Sequence, residues 1–185
     1  PYQNSIMFGG SPTIAAAETW NGSSWTEVAD LNTGRRELGG AGLSSSNALA
    51  FGGQASTDNL ASTETWNGTT WTEVGDLNTG RRLAAGAGTS TSALAFGGGP
   101  PAIANNETWD GSSWTETGDL NTARLSLAGA GASNTAALAF GGYTSTKLAV
   151  NETWNGSSWT EVGDLNTAIR NLGGAGTNTS ALAFG

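Results

Sequence analysis

The chain has 185 residues, with 29 Gly and eight Trp, no Cys or His, and a formal net charge of −8. That length suits one domain with a buried core. The missing Cys and His exclude disulfides, thiolate chemistry, Cys/His zinc sites and Ser-His-Asp triads within the chain, and seven basic residues argue against non-specific binding to nucleic acid or an anionic membrane.

No apolar run approaches the ~20 residues of a spanning helix. The chain opens at Pro1 without an initiator Met or a signal-peptide pattern, and it stops inside a repeat at Gly185. This reads as a fragment or a processed product. The abundant Gly recurs at fixed positions, which points to turns and close backbone approach rather than to a flexible linker.

One phrase returns four times, marked by the pairs Trp20/Trp25, Trp66/Trp71, Trp109/Trp114 and Trp154/Trp159, with copies 46, 43 and 45 residues apart. Such a period is the mark of a repeat architecture. In chain order, the first element is an apolar strand, Ser5-Ile6-Met7-Phe8. It is the least regular copy, because Met7 stands where later copies carry Ala. The later copies centre on Leu49/Phe51, Leu94/Phe96, Leu138/Phe140 and Leu182/Phe184. Leu94 and Phe96 share one face of such a strand, and Ala93 and Ala95 share the other. A bulky face and a shallow face, both apolar, suit stacked sheets.

The next strand is Thr63–Trp66, followed by Asn67-Gly68, a strong signal for a two-residue hairpin turn. Asp110-Gly111 fits the same turn in the third copy. A two-residue turn sets Trp66 opposite Thr69 and Glu64 opposite Trp71, with both Trp rings diagonal on one face. A four-residue turn would pair the Trp rings directly but place Glu64 opposite Glu73, so the tighter turn is expected. The return strand is Thr70–Val74. A loop, Asp76-Leu77-Asn78-Thr79, and two arginines, Arg81 and Arg82, follow. The strand Ala84–Gly88 has almost no side chain, which fits crowded backbones. Thr89–Thr91 then turns into the next apolar strand.

Four short antiparallel strands per repeat describe a propeller blade, so the expected fold class is all-β. The repeats run approximately over residues 5–46, 47–91, 92–135 and 136–180, and residues 181–185 start a further copy. Residues 1–185 thus form a single propeller or a propeller segment, with four repeats plus one extra strand.

These residues resemble the Kelch repeat. That pattern is an apolar strand ending in Gly-Gly, an aromatic, a Trp a few residues later, and an Arg before the next strand. The doublets here are Gly9-Gly10, Gly52-Gly53, Gly97-Gly98 and Gly141-Gly142. The aromatic is Trp20, Trp66, Trp109 or Trp154, where the family more often has Tyr, and the second Trp follows each time. The Arg is assigned to Arg36, Arg82 and Arg170, with Arg124 one position earlier. The resemblance covers nearly the whole chain. It implies a Kelch-like β-propeller of four-stranded antiparallel blades and little about activity, because such propellers include enzymes and binding modules. The near-identical copies, rich in Gly, Ser, Thr and Asn, also resemble Kelch-type repeats of marine phage structural proteins.

The Phe-Gly strand occurs five times and the Trp hairpin four times. Three readings of closure follow: a four-bladed ring closed by this chain alone, part of a longer array of the same repeats, or a ring shared between self-associated chains.

The recurring Trp pairs read as packing between blades rather than sugar platforms. The Glu pairs, such as Glu64/Glu73, read as structural, neutralised by nearby Arg, rather than catalytic. Asp76 and its equivalents read as loop formers. No EF-hand spacing occurs, so neither a metal site nor a cofactor is expected. The Asn-Gly-Ser/Thr sequons read as hairpin turns rather than glycosylation sites.

Variation concentrates between Phe and the first Trp, an interval of 12, 15, 13 and 14 residues in successive copies. In Kelch-like propellers this loop shares a face with the Arg-bearing connection, and that face commonly binds ligands. The resemblance therefore selects Gln54, Asp58, Asn59, Pro100, Pro101, Tyr143 and Lys147 as candidate ligand contacts, beside Arg35, Arg81 and Arg124.

The leading expectation is a non-enzymatic structural or adhesive module of a phage virion or a cell surface, hence extracellular or virion-associated. A second is a lectin-like binder of glycan or protein at the variable loops. A third is a sialidase-like hydrolase, for which only Tyr2 and Tyr143 supply a phenol. Neither nucleic acid nor membrane insertion is expected.

Overall fold

The structure, a computed structural model, describes residues 4–185. They are all-β, and no helix occurs among them. The strands fall into consecutive sheets, here called units. The first unit contains β1 (Ser5–Gly10), β2 (Ile14–Trp20) and β3 (Trp25–Val28). The second contains β4 (Gly39–Ser44), β5 (Asn47–Phe51), a small ladder of β6 (Gln54–Ala55) with β7 (Asp58–Asn59), then β8 (Thr63–Trp66) and β9 (Trp71–Val74). The third contains β10 (Ala85–Thr89), β11 (Ser92–Phe96), β12 (Asn106–Trp109) and β13 (Trp114–Thr117). The fourth contains β14 (Ala128–Ser133), β15 (Ala136–Phe140), β16 (Asn151–Trp154) and β17 (Trp159–Val162). A last pair, β18 (Gly173–Gly176) and β19 (Ala181–Phe184), forms a two-stranded sheet.

Units two, three and four are four-stranded and antiparallel, in chain order. The first unit is three-stranded, and β18–β19 share no sheet with it. This arrangement is compatible with a propeller-like fold.

The core lies between units. Leu49 and Phe51, the bulky face of the second unit, cluster with Ala93, Ala95, Trp109 and Trp114 of the third. The same complementarity joins the third unit to the fourth, where Leu94 and Phe96 meet Ala137 and Ala139. The second and third sheets thus bury both faces, which is why their second strands read Ala-Leu-Ala-Phe rather than alternating with polar residues.

The Gly-Ala strands β4, β10, β14 and β18 come side by side and, with β1, line an open cavity of about 580 Å³. None of the described residues lining it carries a charge. Crowding explains the lack of side chains. A methyl group on Gly86 would collide with the Gly40 carbonyl and lie 2.7 Å from Phe51 Cζ. Successive connections are also tied by backbone bonds. Leu83 N–H donates to Glu37 O at 2.8 Å, Ser126 N–H to Leu83 O at 2.9 Å, and Asn171 N–H to Ser126 O at 2.9 Å. All four residues have φ between 55° and 57°.

The hairpin corrects the expected two-residue turn. Trp66 pairs directly with Trp71, and Glu64 with Glu73, across a four-residue turn. The Asn67 side chain organises it. Its Oδ1 accepts from the backbone N–H groups of Thr69 and Thr70, both at 2.9 Å, and Gly68 supplies φ +97°. The hydroxyl residues after Asn-Gly are therefore part of the turn. Asp110 plays the same part with Ser112 and Ser113 at 2.8 and 2.9 Å. The Ser113 and Ser112 backbone hydrogen bonds lower its carboxyl pKa to about 2.

Each Trp pair is held ring to ring, with centroids 5.3–5.6 Å apart. In the second, third and fourth units the first Trp donates its indole N–H to a backbone carbonyl, as Trp66 does to Ser45 O at 2.9 Å. The second Trp reaches the preceding unit. Trp114 Nε1–H donates to Thr63 Oγ1 at 3.0 Å, whereas Trp71 Nε1 is buried without a partner. Ala17 occupies the position in β2 that Thr63 occupies in β8. Ala17→Thr is therefore expected to stabilise the chain by about 1 kcal/mol in urea unfolding, through the missing acceptor.

Candidate functional site

The joints between units use the most conspicuous charged residues. At the second joint, Arg81 Nη2 lies 2.8 Å from Glu107 Oε1. Asn78 binds the other carboxylate oxygen through its backbone N–H and its side-chain amide, both at 2.8 Å. The Asp-Leu-Asn-Thr loop of one unit thus brings its Asn, and the Arg that follows, onto the Glu of the next unit. Arg35 and Asn32 hold Glu64 in the same way, and Arg124 and Asn121 hold Glu152. These Arg and Glu side chains are at most 1 % exposed. Burial pushes the pKa of each arginine below its ordinary value, opposed by the attraction of its Glu partner. The Arg81 Nη groups also donate to Asn105 O at 3.1 Å and Ala95 O at 3.2 Å, whereas Nε of Arg35, Arg81 and Arg124 is buried without a hydrogen-bond partner.

Arg35, Arg81 and Arg124 therefore sit inside the joints and do not present their charged ends to a ligand. The assignment of the repeat's arginine changes as well. The equivalent buried positions are Arg35, Arg81 and Arg124, the first of each doublet where a doublet exists, and the fourth copy has Ile169 there. Arg36, Arg82 and Arg170 belong to the surface beside them.

That surface carries the variable loops. Gln54, buried on β6, accepts through Oε1 from Arg36 Nη2 at 2.7 Å and from Arg82 Nη1, and donates to Thr57 O at 3.0 Å. Arg82 also lies 3.2 Å from Glu37. Two guanidinium groups thus converge on one neutral amide oxygen with a single carboxylate beside them. Asp58 and Asn59 are exposed on β7. Pro100 and Pro101 are exposed in the third unit's loop, and Lys147 is exposed in the fourth. Tyr143 is half-buried and bridges to Leu125 and Lys147, and the Arg170 guanidinium lies 4.5 Å above its ring. Gln54, Gly99 and Tyr143 each follow a Gly-Gly doublet and pair with the preceding connection, at Arg36, Arg82 and Leu125. The loop residues thus occupy equivalent places on successive units rather than one shared pocket. Tyr2 lies outside the described residues.

Sequence reasoning missed Arg36 and Arg82 as partners of Gln54, and Glu37 as the partner of Arg82. The available signal was the second Arg of each doublet, which the repeat does not need for its joint. Among the described residues, no group of three or more acidic side chains lies close enough to hold a metal ion.

The fold and joints define an all-β repeat protein of antiparallel sheets linked by buried Arg–Glu pairs. Comparison with protein-family models and with curated proteins returns no match to either.

Proposed function

We propose that this chain is a non-enzymatic Kelch-like propeller, or a segment of one, serving as a structural or adhesive module. The observation that carries this reading is that the recurring Arg, Glu, Asn and second Trp residues are engaged in joints between units. They are committed to holding sheets together, which leaves the variable loops for contact with other molecules. The resemblance of the repeats to those of phage structural proteins supports a place on a virion or another outer surface. The net charge of −8 argues against nucleic acid as the partner.

A lectin-like use of the loop face is the second reading. It is favoured by the half-buried Tyr143 with Arg170 stacked on it, and by the Arg36/Arg82 convergence on Gln54. A sialidase-like hydrolase would use a solvent-facing arginine cluster, and Arg35, Arg81 and Arg124 are buried.

The test is attachment of the purified chain to glycan arrays and cell surfaces, with Asp58→Ala, Lys147→Ala and Tyr143→Ala as loop variants. The module reading expects no turnover of glycoside or ester substrates, and loop variants that alter attachment while leaving the fold unchanged. Specific turnover by the purified chain would sink it.

A further inference from the structure

The seven basic residues divide into two sets. Arg35, Arg81 and Arg124 are engaged in the joints, each on a buried Glu. The other four, Arg36, Arg82, Lys147 and Arg170, belong to the loop face. Arg36 and Arg82 pair with Gln54 and Gly99 just behind the Gly-Gly doublets, Lys147 bridges to Tyr143, and Arg170 stacks on the Tyr143 ring. Every positive side chain not engaged in a joint thus lies on the loop face, in a chain whose net charge is −8.

The charge is densest where the second unit's loop meets two connections. Arg36 donates to Gln54 Oε1 from Nε at 3.1 Å and from Nη2 at 2.7 Å, and Arg82 Nη1 donates to the same oxygen. Arg36 Nη1 also donates to Pro12 O at 3.2 Å, and Arg82 Nη1 lies 3.2 Å from Glu37 Oε2. Arg82 Nε is buried without a hydrogen-bond partner. Two like charges therefore share one neutral acceptor, and the one carboxylate in contact, Glu37, pairs with Arg82 alone. Like charges at this range repel, and a carboxylate satisfies a guanidinium better than an amide oxygen does. Both arginines are half-buried, so their charge is screened less than that of fully exposed groups while still open to a ligand.

We propose that Arg36 and Arg82 together hold the carboxylate of an acidic sugar, such as a unit of a polyuronate. This rests on the lectin-like reading and names the ligand class of that face. The planar fork of a guanidinium matches a carboxylate, and two forks converge here with Glu37 offsetting only one of them. The surroundings favour a sugar over a peptide. The adjoining loop, residues 54–59, offers Ser56, Thr57, Asp58 and Asn59 and no large apolar side chain. Such groups hydrogen-bond to sugar hydroxyls, whereas a protein partner is held chiefly by apolar and aromatic anchors. Lys147 and Arg170, on the fourth unit, extend the cationic face for further carboxylates of a polymer.

Titration calorimetry of the purified chain with polygalacturonate, with its fully methyl-esterified form and with polyglutamate tests the proposal. The acid form is expected to bind, the ester, which keeps the sugars and loses the charge, is not, and polyglutamate binds more weakly. Arg82→Gln and Gln54→Glu each weaken binding about tenfold, the second because it sets an internal carboxylate on both guanidiniums. Glu37→Gln tightens binding about threefold by removing the competing carboxylate, an effect that a purely structural arginine pair would not produce. The Glu37 side chain is 35 % exposed, so this variant folds and carries the test even where Gln54→Glu does not. No binding of the acid form, equal binding of the ester, or an affinity unmoved by Glu37→Gln overturns the proposal. Polyglutamate bound as tightly as polygalacturonate overturns the assignment to a sugar. Binding of neutral glycans alone would sink the carboxylate site and leave the lectin-like reading standing.

Discussion

Arg81→Met is expected to destabilise the protein by about 3–5 kcal/mol, because it strips a buried carboxylate of its counter-charge. Glu107 is fully buried, and without Arg81 it keeps only the Asn78 donors. The loss also frees the Asn105 and Ala95 carbonyls from their guanidinium donors. Thermal unfolding followed by circular dichroism should show a fall of roughly 6–20 °C for a chain of this size. In a repeat array each unit leans mainly on its neighbours. The change should therefore separate the unfolding of the first two units from that of the rest.

Trp114→Ala has the second large effect, about 3–5 kcal/mol. The ring packs 5.3 Å from Trp109 and 5.1 Å from Phe51, and its N–H serves Thr63 in the preceding unit. Truncation opens a cavity between two sheets whose backbones already approach closely at Gly86 and Gly40, so the joint has little room to collapse. It also leaves the Thr63 hydroxyl buried without its donor. Urea unfolding should show the loss as a lower midpoint. A fall under about 1 kcal/mol would mean that the second Trp of each pair is surface rather than joint.

Much of the architecture was legible from periodicity. The Ala-Leu-Ala-Phe strands, the Trp strands and the Gly-Ala strands are local patterns, and each appears as a strand at nearly the expected residues. The hairpin register was misread for a physical reason. The objection to placing Glu64 opposite Glu73 was like-charge repulsion, and it disappears because Arg35 and Asn32 arrive from the preceding unit. That contact spans 29 residues of sequence, beyond any local pattern. The arginine assignment failed on the doublet Arg35-Arg36, where only superposition of units shows which side chain turns inward. The loop face was legible as variable, but not its internal pairing. The convergence of Arg36 and Arg82 on Gln54 depends on two connections meeting across one loop.

The account holds that the recurring charged residues are fastenings between sheets rather than a reactive or ligand-binding array. A double-mutant cycle on Arg81 and Glu107 tests this most directly, with both residues replaced by Met singly and together and stability read by urea unfolding. The account predicts that each single change costs about 3–5 kcal/mol and that the double change recovers most of the loss, since two apolar side chains satisfy one another where one stranded charge does not. Single changes that each cost under about 1 kcal/mol, with no coupling between them, would contradict it.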